Sequence, residues 1–256
     1  MLLAVDVGNS ETTIGVFDRD KLGRTWRLAT RQQRTADEYA LSFSGLLALE
    51  DLSFDRNVTG VAIASVVPAV TQALEDMVER YFHFDPLIVQ PGIKTGVPIL
   101  IDNPKEVGAD RIVNSVAAQA LYGGPAVVVD LGTATTFDIL SEAGEYIGGA
   151  IAPGIEMWSE SLVRSTAQLK RVPLIWPKRL VGRSTTEALQ SGIVIGFTSF
   201  VAGMIARFRQ ELGPEAKTVM AGGLAASLAP HLSDVDVVEP WLTLRGLQIL
   251  YERNAG

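Results

Sequence analysis

At 256 residues, 47% hydrophobic and 20% charged, the chain can build one large core or two smaller ones, and wholesale disorder is excluded. A formal net charge of -7 argues against nucleic acid or an anionic membrane as a partner. With no cysteine, disulfides, thiolate metal sites and a cysteine nucleophile are excluded too.

The opening MLLAVD lacks basic residues and reaches Asp6 too early for a secretory signal. LLAVDV, TTIGVFD and RTWRLAT then read as three consecutive strands, the first two joined around Gly8 to Glu11. TADEYALSFSGLLALE reads as a helix, with Thr35 as N-cap and Glu38 completing a capping box. GVAIASVV is a buried strand, and Pro68 opens a helix that runs through Arg80. The pattern restarts at PAVVVDLG, TATTFDIL and EYIGGAIA, again three strand-like runs. Helices are expected over about 154–166 and 184–211, followed by the strand KTVMAG and a terminal helix around TLRGLQILYER. Within the second of these, the apolar run 191–206 is interrupted by Gly196, Thr198, Ser199 and Gly203. It is short for a membrane span and reads as a buried helix. A soluble cytoplasmic protein is the expectation.

The chain therefore divides into two α/β halves, 1–115 and 116–256. Each opens with a strand, an acidic-glycine turn and two more strands. One Asp-x-Gly turn after a strand carries little information. Two of them opening similar halves imply a duplicated fold with a cleft between the halves.

A tight turn at a strand end presents backbone N–H groups that suit phosphate oxygens, and Gly8 and Gly132 let that backbone approach closely. Hydroxyls at Ser10, Thr12, Thr13, Thr133, Thr135 and Thr136 add neutral donors. Asp6 and Asp130 would repel a phosphate directly. They make sense if a divalent cation, usually water-bridged magnesium, stands between carboxylate and phosphate. The expected ligand is a nucleoside triphosphate with its metal. The chain has no G-x-x-x-x-G-K-[ST] loop and no G-x-G-x-x-G, so the other common nucleotide folds lose ground.

Between the two turns lies DNPKEVGADRIVNSVAAQALYG, a helix with Ile112, Val113, Val116, Ala117, Ala120 and Leu121 on one face. Asp110 and Arg111 fall in its first turn, behind Gly108 and Ala109. Arg111 beside a helix N-terminus is a receptor for a carboxylate or phosphate. Asp110 reads equally well as a helix-dipole acid or as the proton acceptor for a hydroxyl that attacks a γ-phosphate. The helix N-terminus is expected to keep it ionised, and correspondingly weak as a base.

DVGNS, TTIGVFD, WRLATRQQRTADEY, DNPKEVGADRIVN, VVDLGTATTFDIL, GGAIAPGI, GRSTTEALQSG and AGGLA together resemble, in order and nearly end to end, the type III pantothenate kinases. These belong to the superfamily of acetate and sugar kinases, heat-shock chaperones and actin. The resemblance implies an α/β fold of duplicated actin-like (ribonuclease H-like) domains with an interdomain nucleotide cleft. It also implies ATP-dependent phosphorylation of pantothenate to 4'-phosphopantothenate, the first step towards coenzyme A. On it, Asp6, Val7, Gly8, Asn9, Ser10, Glu11, Thr12 and Thr13 match the ATP-binding segment, with Thr133 contributing; the water-bridged magnesium at Asp6 remains the reading of the residues themselves. Gly108, Ala109, Asp110 and Arg111 match the pantothenate-binding stretch, with Asp110 the proton acceptor and Thr185 a further substrate contact. Asp130 matches the anchor of a monovalent cation, potassium or ammonium, and the family implies a homodimer.

One departure stands out. Many relatives carry tyrosine at the position of Ile101, so a substrate contact there is altered. Two other readings remain: another phosphotransferase or exopolyphosphatase of the superfamily, and a catalytically degenerate binding or regulatory protein. The single arginine among Gly108–Arg111 disfavours a polyphosphate enzyme. His83 and His231 lack ligand spacing and read as structural or surface residues, and the four tryptophans read as packing. AGGLA, at 221–225, offers two glycines against which an adenine could lie.

Overall fold

The computed structural model describes residues 1–166 and 168–254. The first part of the chain forms β1 (Leu2–Val7), β2 (Glu11–Asp18), β3 (Lys21–Ala29), α1 (Ala36–Ala48), the single turn α2 (Phe54–Asn57), β4 (Gly60–Ser65), α3 (Pro68–Phe82), β5 (Leu87–Ile88) and α4 (Ala109–Tyr122). There follow β6 (Ala126–Leu131), β7 (Ala134–Leu140), β8 (Tyr146–Pro153), α5 (Ile155–Ser165), α6 (Thr185–Gln190) and α7 (Gly196–Leu212). The chain ends with β9 (Lys217–Ala221), the single turn α8 (Ala225–Leu228), β10 (Val237–Val238) and α9 (Leu242–Asn254). Two compact units result, residues 1–121 with the chain from Trp241 onward, and Tyr122–Pro240.

In the first unit the strand order is β3-β2-β1-β4-β5. β1, β2 and β3 are antiparallel neighbours, and β4 and β5 continue in parallel. Side chains alternate along β1. Leu3, Val5 and Val7 join Tyr39 and Phe43 of α1 and Leu74 and Met77 of α3 in one core, which sends Leu2, Ala4 and Asp6 to the opposite face. The capping box forms as expected: Thr35 N–H donates to Glu38 Oε2 at 2.8 Å, and Glu38 N–H to Thr35 Oγ1 at 3.3 Å. The strand read as GVAIASVV stops at Ser65, and Pro68 opens α3 after an extended Val67 (φ -125°, ψ 94°), the conformation proline favours in the residue before it. α3 continues past Arg80 to Phe82 and ends on His83 in the left-handed region (φ 62°).

The terminal helix belongs with this unit, not with the second half as expected, and the division expected at 115/116 falls inside α4. The reason is a set of glycines that leave room for it. Leu244 Cδ1 of α9 lies 2.7 Å from where a Cβ of Gly15 would stand, Tyr251 fills the same space over Gly60, and Gly246 packs on the backbone of Val113 in α4.

The second unit repeats the plan, with order β10-β9-β6-β7-β8 and the same alternation of antiparallel and parallel pairs. Val127, Val129 and Leu131 pack on Ile193, Val194, Phe197, Val201 and Ile205. The helix expected over 184–211 is α6 and α7 joined by a π-helical stretch, Ser191–Ile195. Among the described residues it is the one helix long and apolar enough to cross a membrane, with mean hydropathy 1.7. Its buried stripe is the core of this unit.

Candidate active site

β1 and β2 meet in a turn where Gly8 N–H donates to Glu11 O at 2.9 Å. A Cβ on Gly8 would stand 3.2 Å from that same oxygen, so glycine suits the turn. Asp6 pairs with Thr13 and Val7 with Thr12, which puts the first pair on one face and the second on the other. Asp6 and Thr13 are half-buried, Asn9, Ser10 and Glu11 are exposed, and Thr12 is fully buried. The Thr12 hydroxyl lies 2.9 Å from that of Thr30, just beyond β3. Thr30 Oγ1 donates to Gly8 O at 2.8 Å, so its hydrogen is committed and Thr12 is the donor of the pair. Thr30 N–H also donates to Ser10 O at 3.0 Å. Thr12 thus holds the turn from behind, while Ser10 and Thr13 are the more accessible hydroxyls. Sequence reading missed Thr30. Its signal is a hydroxyl one residue past the third strand, visible only once that strand's end is known.

At the head of α4, a Cβ on Gly108 would stand 2.5 Å from Asp110 Oδ1 and 3.7 Å from Val66 Cγ1. The glycine therefore leaves space for the Asp110 carboxylate to fold back, and the start of α4 lies beside the end of β4. Val66 N–H in turn donates to Val7 O at 3.1 Å. Asp110 and the β1–β2 turn accordingly lie at the same end of the first sheet, by the C-terminal ends of β1 and β4. Asp110 Oδ1 accepts Arg111 N–H at 2.9 Å, and both residues are half-buried. Burial holds the Asp110 carboxyl above the usual carboxylate range, opposed by the Arg111 N–H and guanidinium. Burial acts on Asp110 in the opposite sense to the helix terminus, raising its proton affinity. A carboxylate that binds its proton more tightly is a better proton acceptor.

In the second unit Gly132 N–H donates to Ala134 O at 3.1 Å, and Gly154, the first residue past β8, donates its N–H to Thr133 O at 3.1 Å. A Cβ on Gly154 would collide with the carbonyl oxygens of Thr133 and Gly132. Thr135 is fully buried and its Oγ1 donates to Pro153 O at 3.4 Å, while Thr136 Oγ1 donates to Asp138 Oδ2 at 3.3 Å. Those two hydroxyls serve the protein, which leaves Thr133 as the exposed one. Asp130 is half-buried, and its Oδ1 lies 2.5 Å from where a Cβ of Gly222 would be. Gly222 also adopts φ +89°. The first glycine of the AGGLA stretch is therefore explained by backbone conformation and by the Asp130 carboxylate, with no appeal to an adenine.

Ile101 is half-buried in the irregular stretch between β5 and α4, and Thr185 is exposed as the first residue of α6. His231 stacks on Trp176, with ring centroids 3.4 Å apart and planes 6° from parallel. Among the described residues no group of three or more His, Asp or Glu side chains converges as a metal site.

The family model of the type III pantothenate kinases matches residues 2–207. The chain is similar to the type III pantothenate kinase of Moorella thermoacetica, 50% identical over 254 residues that cover 99% of this chain and 100% of that protein. In fold it is similar to a Baf family protein from Campylobacter jejuni (TM-score 0.62, 18% identity, 99% and 98% of the two chains covered). It is similar also to the ROK hexokinase of Thermus thermophilus (TM-score 0.51, 11% identity, 100% and 99% covered). The fold is thus α/β, two actin-like domains related by duplication. With most of its length matched by one family model and half its residues shared with a full-length relative, the chain belongs to the type III pantothenate kinases.

Proposed function

We propose that this protein phosphorylates the primary hydroxyl of pantothenate with ATP, yielding 4'-phosphopantothenate and ADP at the head of coenzyme A biosynthesis. The observation that carries the reading is the placement of Asp110, half-buried at the head of α4, by the same C-terminal strand ends of the first sheet as the β1–β2 turn. In the reaction the hydroxyl oxygen bonds to the γ-phosphorus, the bond from that phosphorus to the β–γ bridging oxygen breaks, and the hydroxyl proton passes to Asp110. Arg111, next along the first turn of α4, holds the pantothenate carboxylate. Gly108 and Ala109 let the substrate approach the helix, Thr185 adds a contact, and Ile101 offers hydrocarbon where a tyrosine would offer a hydroxyl.

The segment Asp6–Thr13 receives the ATP phosphates, with Thr133 contributing from the second turn. A single carboxylate ligand at Asp6 fits magnesium that keeps several of its waters, and the bound ion would offset phosphate charge. Asp130 fits the anchor of a monovalent cation, potassium or ammonium. A homodimer is supported by the apolar surface of the second unit, where Ile151 of the edge strand β8 is 64% exposed and Met157 of α5 is 46% exposed. A cytoplasmic location accords with a metabolic kinase.

The test is formation of phosphopantothenate and ADP by the purified protein with magnesium, in potassium and in a large organic cation at equal ionic strength. Stoichiometric product in potassium is expected. Release of ADP without phosphopantothenate would contradict the assignment.

A further inference from the structure

We infer that Thr30 is a positioning residue of the nucleotide site: it sets the β1–β2 turn so that two amide N–H groups of the turn face the phosphates. The inference rests on the functional reading above. Thr30 makes three bonds at this place. Its Oγ1 donates to Gly8 O at 2.8 Å, its N–H donates to Ser10 O at 3.0 Å, and its Oγ1 accepts the buried Thr12 hydroxyl at 2.9 Å. A trans peptide unit is planar, with its C=O and N–H pointing in opposite directions. Among the described residues the one cis bond is Gly124–Pro125, so both peptide units here are trans.

Fixing Gly8 O on Thr30 therefore turns the N–H of Asn9 away from β3. Fixing Ser10 O does the same to the N–H of Glu11. The two carbonyl oxygens, which would repel an anion, are drawn to the β3 side, and the opposite side of the turn is left with donors. Backbone amides of a turn directed to one side can bind phosphate oxygens. Asn9 and Glu11, which carry these two amides, are exposed residues. The hydroxyl acts as donor and acceptor at once. Serine can reproduce both roles, and valine, of nearly the same shape, neither.

The second unit sharpens the point. Gly154 occupies the matching place past β8 and makes the matching amide bond to Thr133 O, but it has no hydroxyl with which to hold the Gly132 carbonyl. The orienting clamp is thus peculiar to the first turn.

Thr30→Val and Thr30→Ser in the full chain test this, with nucleotide affinity by calorimetry, steady-state kinetics in both substrates and thermal unfolding. Thr30→Val should raise the Kd and KM for magnesium ATP about tenfold, with the pantothenate KM within about twofold of the parent. Thr30→Ser should stay within about threefold of the parent for both substrates. An unchanged nucleotide Kd in Thr30→Val, an equal rise in both KM values with a lowered Tm, or no rescue by serine would each overturn the inference. A parent that binds nucleotide but leaves pantothenate unmodified would remove the functional reading alone, because the ratio of nucleotide Kd values still decides the role of Thr30. A parent that binds no nucleotide would remove both.

Discussion

In the first unit four residues lie between the last paired positions of the turn, Val7 and Thr12; in the second, three lie between Leu131 and Thr135. The registers otherwise correspond. Asp6 opposite Thr13 becomes Asp130 opposite Thr136, and the buried Thr12 becomes the buried Thr135. What differs is how each turn is held. The longer one is tied by side-chain hydroxyls, Thr12 to Thr30 to Gly8 O. The shorter one is held by close packing, with Gly154 against its carbonyls and Gly222 against Asp130. The contrast continues two residues along the second strand. Gly15 admits Leu244 of α9, whereas its counterpart Asp138 is fully buried and accepts Tyr146 Oη at 3.0 Å. A duplicated scaffold fixes where a carboxylate stands, and the residues around it decide what that carboxylate can do.

The contrast can be broken most severely at the two carboxylates. Asp6→Asn should abolish magnesium-dependent ATP turnover in a folded protein. Asp130→Asn should leave a slower enzyme that no longer distinguishes potassium from a large organic cation. Equal behaviour of the two variants in cation-exchange assays would erase the functional difference between the turns.

Arg111 comes next. If Arg111 binds the substrate carboxylate in ground and transition states alike, Arg111→Ala should raise the pantothenate KM by about tens- to hundreds-fold while kcat falls little. A change confined to the ATP KM would move Arg111 to the nucleotide.

The glycines give a smaller effect. Gly222→Ala meets both a positive φ and the Asp130 carboxylate, and should cost about 1–3 kcal/mol by chemical denaturation. Gly132→Ala meets nothing nearer than 3.6 Å and should stay within about 0.5 kcal/mol. Equal costs would show that the second turn is not held by packing at Gly222.

How much of this the sequence carries depends on the range of the interaction. The capping box at Thr35 and Glu38, the strand triplets and the two acidic-glycine turns are local patterns, and each was legible. The return of α9 to the first unit was not, because it depends on spaces over Gly15 and Gly60 that no local pattern reveals. β5 and β10, two residues each, are too short for a periodic signal. At the site, residue roles came from the family resemblance, while the residues alone left Asp110 divided between helix acid and base. Its raised proton affinity was illegible because burial is a tertiary property, and the helix terminus, the one local cue, points the other way. Thr30 was hidden for a similar reason, since its partners lie across two strands.

Whether Asp110 accepts the substrate proton is decided by Asp110→Asn, through kcat, pantothenate affinity and the pH dependence of stability. A carboxyl whose folded pKa lies above its ordinary value of 3.8 lowers stability as pH rises through the interval between the two, and costs nothing below it. The asparagine variant should therefore melt at a higher temperature than the parent at neutral pH, with the two curves converging in acid. Its kcat should fall about 10²- to 10⁴-fold while calorimetry still detects pantothenate binding within about threefold of the parent. Normal turnover by the asparagine variant would contradict the claim and leave Asp110 as an acid that does no more than begin a helix.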